Sequence, residues 1–153
     1  MPRRSAGIVL YRASGLELEV LLVHPGGPLW ARRDAGAWSI PKGEYEDDEE
    51  SVAAARREFA EELGSPAPDG DLLDLGEVKQ RSGKLVRAWA VPGDLDAGEI
   101  RSNTFALEWP ARSGRMGEYP EVDRAEWFKL DEARERINPA QAPLLDRLEQ
   151  ALG

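Results

Sequence analysis

The sequence predicts a mixed α/β fold, and three observations predict it. Two stretches rich in Val, Ile and Leu stand near the N-terminus, a heavily acidic helical segment follows them, and further extended segments precede a helical C-terminus. Strands on both sides of a central helix, with helices closing the chain, need helical layers on a sheet to bury their apolar faces. At 153 residues, 41% hydrophobic and 32% charged, the chain reads as one folded domain, 1–153, with a core that needs no staples.

Taken in order, SAGIVLYR and LELEVLLVHP read as two buried strands joined at ASG. HPGGPLWARRDAGAW, His24 to Trp38, holds two Pro and three Gly and reads as a loop exposing Arg32 and Arg33. WSIPKGEY is extended, because Pro41 disfavours helix at Ile40. From Glu50 to Leu63 the spacing of Val52, Ala55, Phe59 and Leu63 predicts a helix, stopped by Gly64 and SPAP. LLDLGEVKQ and KLVRAWAV flank RSG as a hairpin. NTFALEW alternates Phe105, Leu107 and Trp109 with Thr104, Ala106 and Glu108, a half-buried strand. RAEWFKL is a further strand, and DEARERI a short helix capped by Asp131. Asn138 and Pro139 open a last helix with Leu144, Leu145, Leu148 and Leu152 on one side.

Composition excludes several functions. With no cysteine there is no disulfide, thiolate zinc site or cysteine nucleophile, and the natural setting is a reducing cytoplasm. MPRRSAGIVLYR is too short an apolar run for a signal-peptide core, and no stretch reaches membrane-span length. A net charge of −9 argues against non-specific nucleic-acid binding. An acidic protein that holds a polyanion needs arginines, lysines or a divalent cation between carboxylate and phosphate.

The segment Gly43 to Gly64, GEYEDDEESVAAARREFAEELG, carries nine acidic residues and two arginines. On a helical wheel Val52, Ala55, Phe59 and Leu63 share an arc of roughly 80°, and Glu58, Glu61 and Glu62 take roughly the next 100°. Carboxylates at i, i+3 and i+4 repel by a few tenths of a kcal/mol per pair. Charged helix faces commonly do no more than solvate a surface. A hard divalent cation, which takes oxygen ligands and substrate phosphates, would reverse the sign of that repulsion.

The spacing also reads G-x5-E-x7-R-E-U-x-E-E-x-G, with U apolar, and fixes Gly43, Glu49, Arg57, Glu58, Glu61, Glu62 and Gly64. A chance match is on the order of 10⁻⁵ to 10⁻⁴ at ordinary residue frequencies. This pattern resembles the Nudix box of hydrolases that cleave diphosphate linkages in nucleoside-diphosphate compounds. The final position departs from it, since Ser65 stands where the family has an aliphatic residue. Two strands before a loop, WSIPKG entering the box, and AEWFKLDEA late in the chain extend the likeness.

The resemblance implies a Nudix-type α/β/α sandwich, a mixed β-sheet with the box as a loop–helix–loop. It implies Mg²⁺ or Mn²⁺ on Glu58, Glu61 and Glu62, with the Gly43 carbonyl as a further ligand, and Arg57 facing away from them and paired with Glu49. Glu58 leads as general base, with Glu118, Glu121 and Asp123 of GEYPEVD as candidates outside the box. Lys42, in PKG, and Arg32 and Arg33 are the candidate substrate contacts. Trp89 and Trp109 can stack on a base, but their strand pattern favours the core, and His24 reads as a loop residue. The expected partner is a nucleotide or pyrophosphate: a nucleoside triphosphate, dinucleoside polyphosphate, nucleotide sugar, ADP-ribose or inositol pyrophosphate. A non-catalytic nucleotide-sensing module is the alternative, and a homodimer is compatible with the family. The lack of cysteine disfavours isoprenyl diphosphate isomerisation and a zinc-ribbon module.

Overall fold

A computed structural model describes residues 3–153; Met1 and Pro2, which open the N-terminal segment, lie outside the described residues. Alternation along the strands determines the layers. In β1 (Arg4–Ser14), Ala6, Ile8 and Leu10 face one side of the sheet and Val9 the other. In β2 (Glu17–Pro25), Leu21 and Val23 oppose Val20 and Leu22 in the same way. The first side is covered by α1 (Ser51–Leu63) through Ala54, Ala55, Phe59 and Leu63. The second side is covered by α2 (Leu130–Arg136) and α3 (Ala142–Leu152), whose Leu144, Leu145 and Leu148 are fully buried. The result is the expected α/β/α sandwich.

The remaining strands are β3 (Lys42–Glu44), β4 (Leu73–Lys79), β5 (Leu85–Pro92), β6 (Thr104–Glu108), β7 (Met116–Pro120) and β8 (Val122–Lys129). The main sheet runs β4-β5-β1-β2-β8, with β3 on β1, and β1 and β5 are parallel while the other pairs are antiparallel. β6 and β7 form a separate two-stranded ribbon.

One irregularity positions the site. β1 and β2 pair only from Tyr11↔Val20 to Ser14↔Glu17, and beyond that they part. The segment 39–44 enters the gap. Val23 and Ser39 exchange backbone bonds of 2.8 and 3.0 Å, Ile8 N–H donates to the Pro41 carbonyl at 3.1 Å, and Gly7 lies opposite Lys42. Gly7 has no substitute here, since a Cβ would come within 2.7 Å of Lys42 Cβ and 2.6 Å of the Pro41 oxygen.

Several expectations are corrected. His24 is not a loop residue: it lies in β2 and is fully buried. The NTFALEW segment forms β6, but no residue of that strand is fully buried, and its partner β7 was not foreseen. Trp109 falls just past β6 and is exposed, whereas Trp89 is core. Asp131 does not cap α2, which starts one residue earlier behind Lys129 without a side-chain cap. Asn138 caps a 3-10 turn, Pro139–Gln141, by accepting the Ala140 N–H, and α3 begins after it with Leu152 exposed.

Candidate active site

Helix α1 delivers the carboxylates. Its apolar stripe seats it on the sheet, and Gly64, at φ 79°, ends it with its N–H on the Ala60 carbonyl at 2.8 Å. Beside that stripe Glu58 is buried, at 8% exposure, while Glu61 and Glu62 are half-buried. β3 brings Gly43 against Glu58 so closely that a Cβ on residue 43 would overlap the carboxylate. The Lys42 N–H donates to Glu62 Oε1 at 3.3 Å. The box loop and box helix therefore meet at Gly43, Glu58 and Glu62.

Arg57 is placed otherwise than expected. Its Nε and Nη2 donate to both oxygens of Glu49 at 2.8 Å, the expected tie between loop and helix. Its Nη1, however, reaches Glu58 at 2.8 Å and Glu61 at 3.2 Å, so the guanidinium faces the glutamates instead of pointing away. The helical wheel locates a Cα, but a long guanidinium reaches over a full turn. Glu49 holds the Arg57 proton most strongly and raises that group further, and the same bond lowers Glu49.

Burial, with some mutual repulsion, raises three acids of the site. Burial pushes Glu62 well above the usual carboxylate range; the Lys42 ammonium and N–H oppose the shift, and Glu58 and Glu121 add to it. Burial raises Glu58 too, against the Arg57 bond. Glu121, just past β7, is raised by burial and by Glu61. The Lys42 amine is lowered by burial and by Lys84. A depression of about 100 Å³ joins these groups, lined by Lys42, Glu62, Glu121, Ser39, Ile40 and Val122 among others. A larger one, about 480 Å³, lies at the far end of β2 and β8 around Leu16, Lys129 and Glu149, away from the box acids.

Of the three acids considered outside the box, only Glu121 lies in this group. Glu118 is exposed on β7, and Asp123 lies with a carboxylate oxygen 2.9 Å from His24 Nδ1. Arg32 and Arg33 are exposed and line neither this depression nor an apolar one beside it, about 230 Å³, between Leu29 and Trp30 on one side and Phe105 and Leu107 on the other; the Arg33 carbonyl accepts from His24 Nε2 at 2.6 Å. Sequence reasoning missed Gln141, which is fully buried and accepts the Ile40 N–H at 3.0 Å while donating to Gln80 at 3.0 Å. It fixes the strand that carries Lys42 and Gly43. A lone glutamine has no periodic signal, and its partners are 101 and 61 residues away.

Among the described residues no three acidic or histidine side chains stand close enough to cage an ion. The set still fits a hard divalent cation. Its donors are all oxygens, Gly43 leaves its backbone bare against Glu58, and the raised acids are those a cation would relieve.

The fold and site define a hydrolase-like α/β/α sandwich with its acids at the splayed strands. Residues 1–148 match the family model of the NUDIX domain. The chain is similar to a C. elegans Ap4A hydrolase in a binary complex: 21% identity, 98% of this chain and 97% of that one, TM-score 0.68. It is similar to the NUDIX domain of Shewanella oneidensis NrtR complexed with ADP ribose: 15% identity, 100% and 90% covered, TM-score 0.68. A mutT/nudix family protein from Listeria innocua matches at 18% identity, 99% and 95% covered, TM-score 0.61. No curated protein matches the chain. The chain belongs to the Nudix family. With every fixed position of the box filled, it is a pyrophosphohydrolase of that family, whose members generally use divalent metals. Among the described residues no helix is long and apolar enough to cross a membrane.

Proposed function

We propose that the protein hydrolyses a diphosphate linkage in a nucleotide-type substrate with Mg²⁺ or Mn²⁺, acting as one cytoplasmic domain, 1–153. The observation that carries this reading is that Glu58, Glu62 and Glu121 are gathered beside Gly43 and Lys42, where burial and, less strongly, neighbouring carboxylates raise all three acids. Glu58, Glu61, Glu62 and the Gly43 carbonyl would hold the metal. When bound, the metal supplies Lewis acidity, neutralising charge that builds on the phosphates and making water a better nucleophile.

The chain's own residues do the rest. Glu49 and Arg57 tie the loop to α1 and hold Glu58 and Glu61 in place. Lys42 meets a substrate phosphate oxygen, and Arg32 and Arg33 attract the anion from the neighbouring loop. Water attacks phosphorus as the anhydride P–O bond breaks, and its proton passes to a carboxylate. We assign that proton to Glu121 in preference to Glu58. Arg57 already binds Glu58 and favours its ionised form, whereas no cation lowers Glu121.

The net charge of −9 leaves non-specific nucleic-acid binding outside this reading, and a homodimer is compatible with it. Turnover assays with Mg²⁺ over nucleoside triphosphates, dinucleoside polyphosphates and ADP-ribose test the proposal. Glu61→Gln and Glu62→Gln each lose most activity and metal affinity while folding normally. Glu121→Gln loses about 10²-fold or more in kcat with metal affinity kept. Wild-type turnover by the Glu61 or Glu62 variant would overturn the metal assignment, and by the Glu121 variant the base.

A further inference from the structure

At the end of the sheet where β1 and β5 begin, three cations gather on the face turned away from α1. Ser5 shares the side of Val9, and across the ladders it lies opposite Glu44 of β3 and Val86 of β5. Lys84 stands two residues before Val86, and Arg3 two before Ser5, so alternation puts both on that same side. Lys42, opposite Gly7, comes next along β1. The box glutamates belong to α1, which covers the other face.

These groups are donors with too few acceptors. The Lys84 side chain is only 20% exposed, yet its ion-pair partner, Glu44, stands 3.8 Å away. Arg3 Nε meets the same carboxylate at 3.8 Å, and both distances exceed a hydrogen bond. Lys84 also repels the half-buried Lys42 ammonium. The Ser5 hydroxyl, at 1% exposure, has no hydrogen-bond partner among the described residues. Buried hydroxyls and half-buried charges ordinarily have partners, so this end of the sheet holds unused donor capacity.

We propose that this end of the sheet is an oxyanion site, in which Ser5, Lys84 and Arg3 hold a phosphate group and Lys42 stands between it and the box acids. Two ammonium groups and a guanidinium repel a metal ion, so the ligand is an anion. Phosphate suits the set better than a carboxylate does, since it offers three or more acceptor oxygens to donors that converge from different strands. It replaces the loosely held, half-exposed Glu44 as the partner of Arg3 and Lys84. The site lies apart from the metal-held diphosphate, and the inference goes beyond the hydrolase reading without depending on it. Such a phosphate has two sources, the free ion and the end of a substrate's phosphate chain.

The test is isothermal titration of the whole protein with orthophosphate in EDTA, which keeps divalent cations off the acids, against chloride at equal ionic strength. Wild type is expected to bind orthophosphate, with Lys84→Gln at least about tenfold weaker and Ser5→Ala about fivefold weaker. Without phosphate, Ser5→Ala keeps the wild-type urea midpoint, because the hydroxyl it removes has no partner to strand. Phosphate heats no larger than the chloride control, either variant binding as wild type, or a lowered Ser5→Ala midpoint would overturn the inference. Turnover with Mg²⁺ then identifies the source. If it is the end of a substrate's chain, Lys84→Gln raises KM about tenfold for a nucleoside triphosphate but not for ADP-ribose, with kcat kept. If it is the free ion, Lys84→Gln leaves both KM values unchanged. Phosphate binding without turnover sinks the hydrolase reading alone, and turnover without phosphate binding sinks this one alone.

Discussion

At Glu62, burial raises the carboxyl, and Glu58 and Glu121 add to the shift against the pull of Lys42. A metal ligand must be ionised, so a proton competes for the site at a higher pH than an ordinary glutamate would allow. The raised acids take up that proton as pH falls, and apparent metal affinity falls with them. Titration of Mn²⁺ at about pH 8 and again at about pH 6 is therefore expected to show weaker binding at the lower pH. Equal affinity would mean that the raised acids are not the ligands. Gly43 gives a second test at this scale. Gly43→Ala drives a methyl into the Glu58 carboxylate and is expected to lower kcat by about 10²-fold, the loss typical of a small misplacement, with the fold kept by circular dichroism. The box residues were legible in sequence because their spacing is fixed. The direction of Arg57 was not, since Glu49, Glu58 and Glu61 compete for one guanidinium and only three-dimensional distance settles how it is shared.

The segment 39–44 is an element held from outside itself. Gln141, from the 3-10 turn before α3, accepts the Ile40 N–H and bonds with the Ser39 hydroxyl. Gln141→Leu leaves that N–H unpaired in the core and is expected to cost about 1–3 kcal/mol, read as a lower urea midpoint. Activity should fall with it, because the same segment carries Lys42 and Gly43; unchanged stability would show that the amide is not needed. Strands with long apolar runs and helix α1 with its glycine stop were readable from local pattern. β7 was not, since MGEYP carries a Gly and a Pro with no clear apolar alternation and is a strand only because β6 lies beside it. The parallel pairing of β1 with β5 likewise joins residues about eighty positions apart, beyond any local signal.

Across the whole molecule, the two parts of the candidate site rest on different supports. The box glutamates stand on α1, and Lys42 and Gly43 on a segment stitched between the two central strands, with an apolar core on either face of the sheet. The aromatic cleft is built from a loop and from a ribbon with no fully buried residue. Opening free energies follow burial and hydrogen bonding, so the backbone amides of Ile8, Val23 and Ser39 should exchange with deuterium only on near-global unfolding, and those of β6 and β7 much sooner. Comparable protection of both sets would contradict this division. The splay between β1 and β2 thereby separates two kinds of inheritance. Substitutions at Leu29, Trp30, Phe105 or Leu107 can reshape the depression beside the acids without touching the core, whereas a change to Gly7 or Ile40 puts the sheet and the chemistry at risk together.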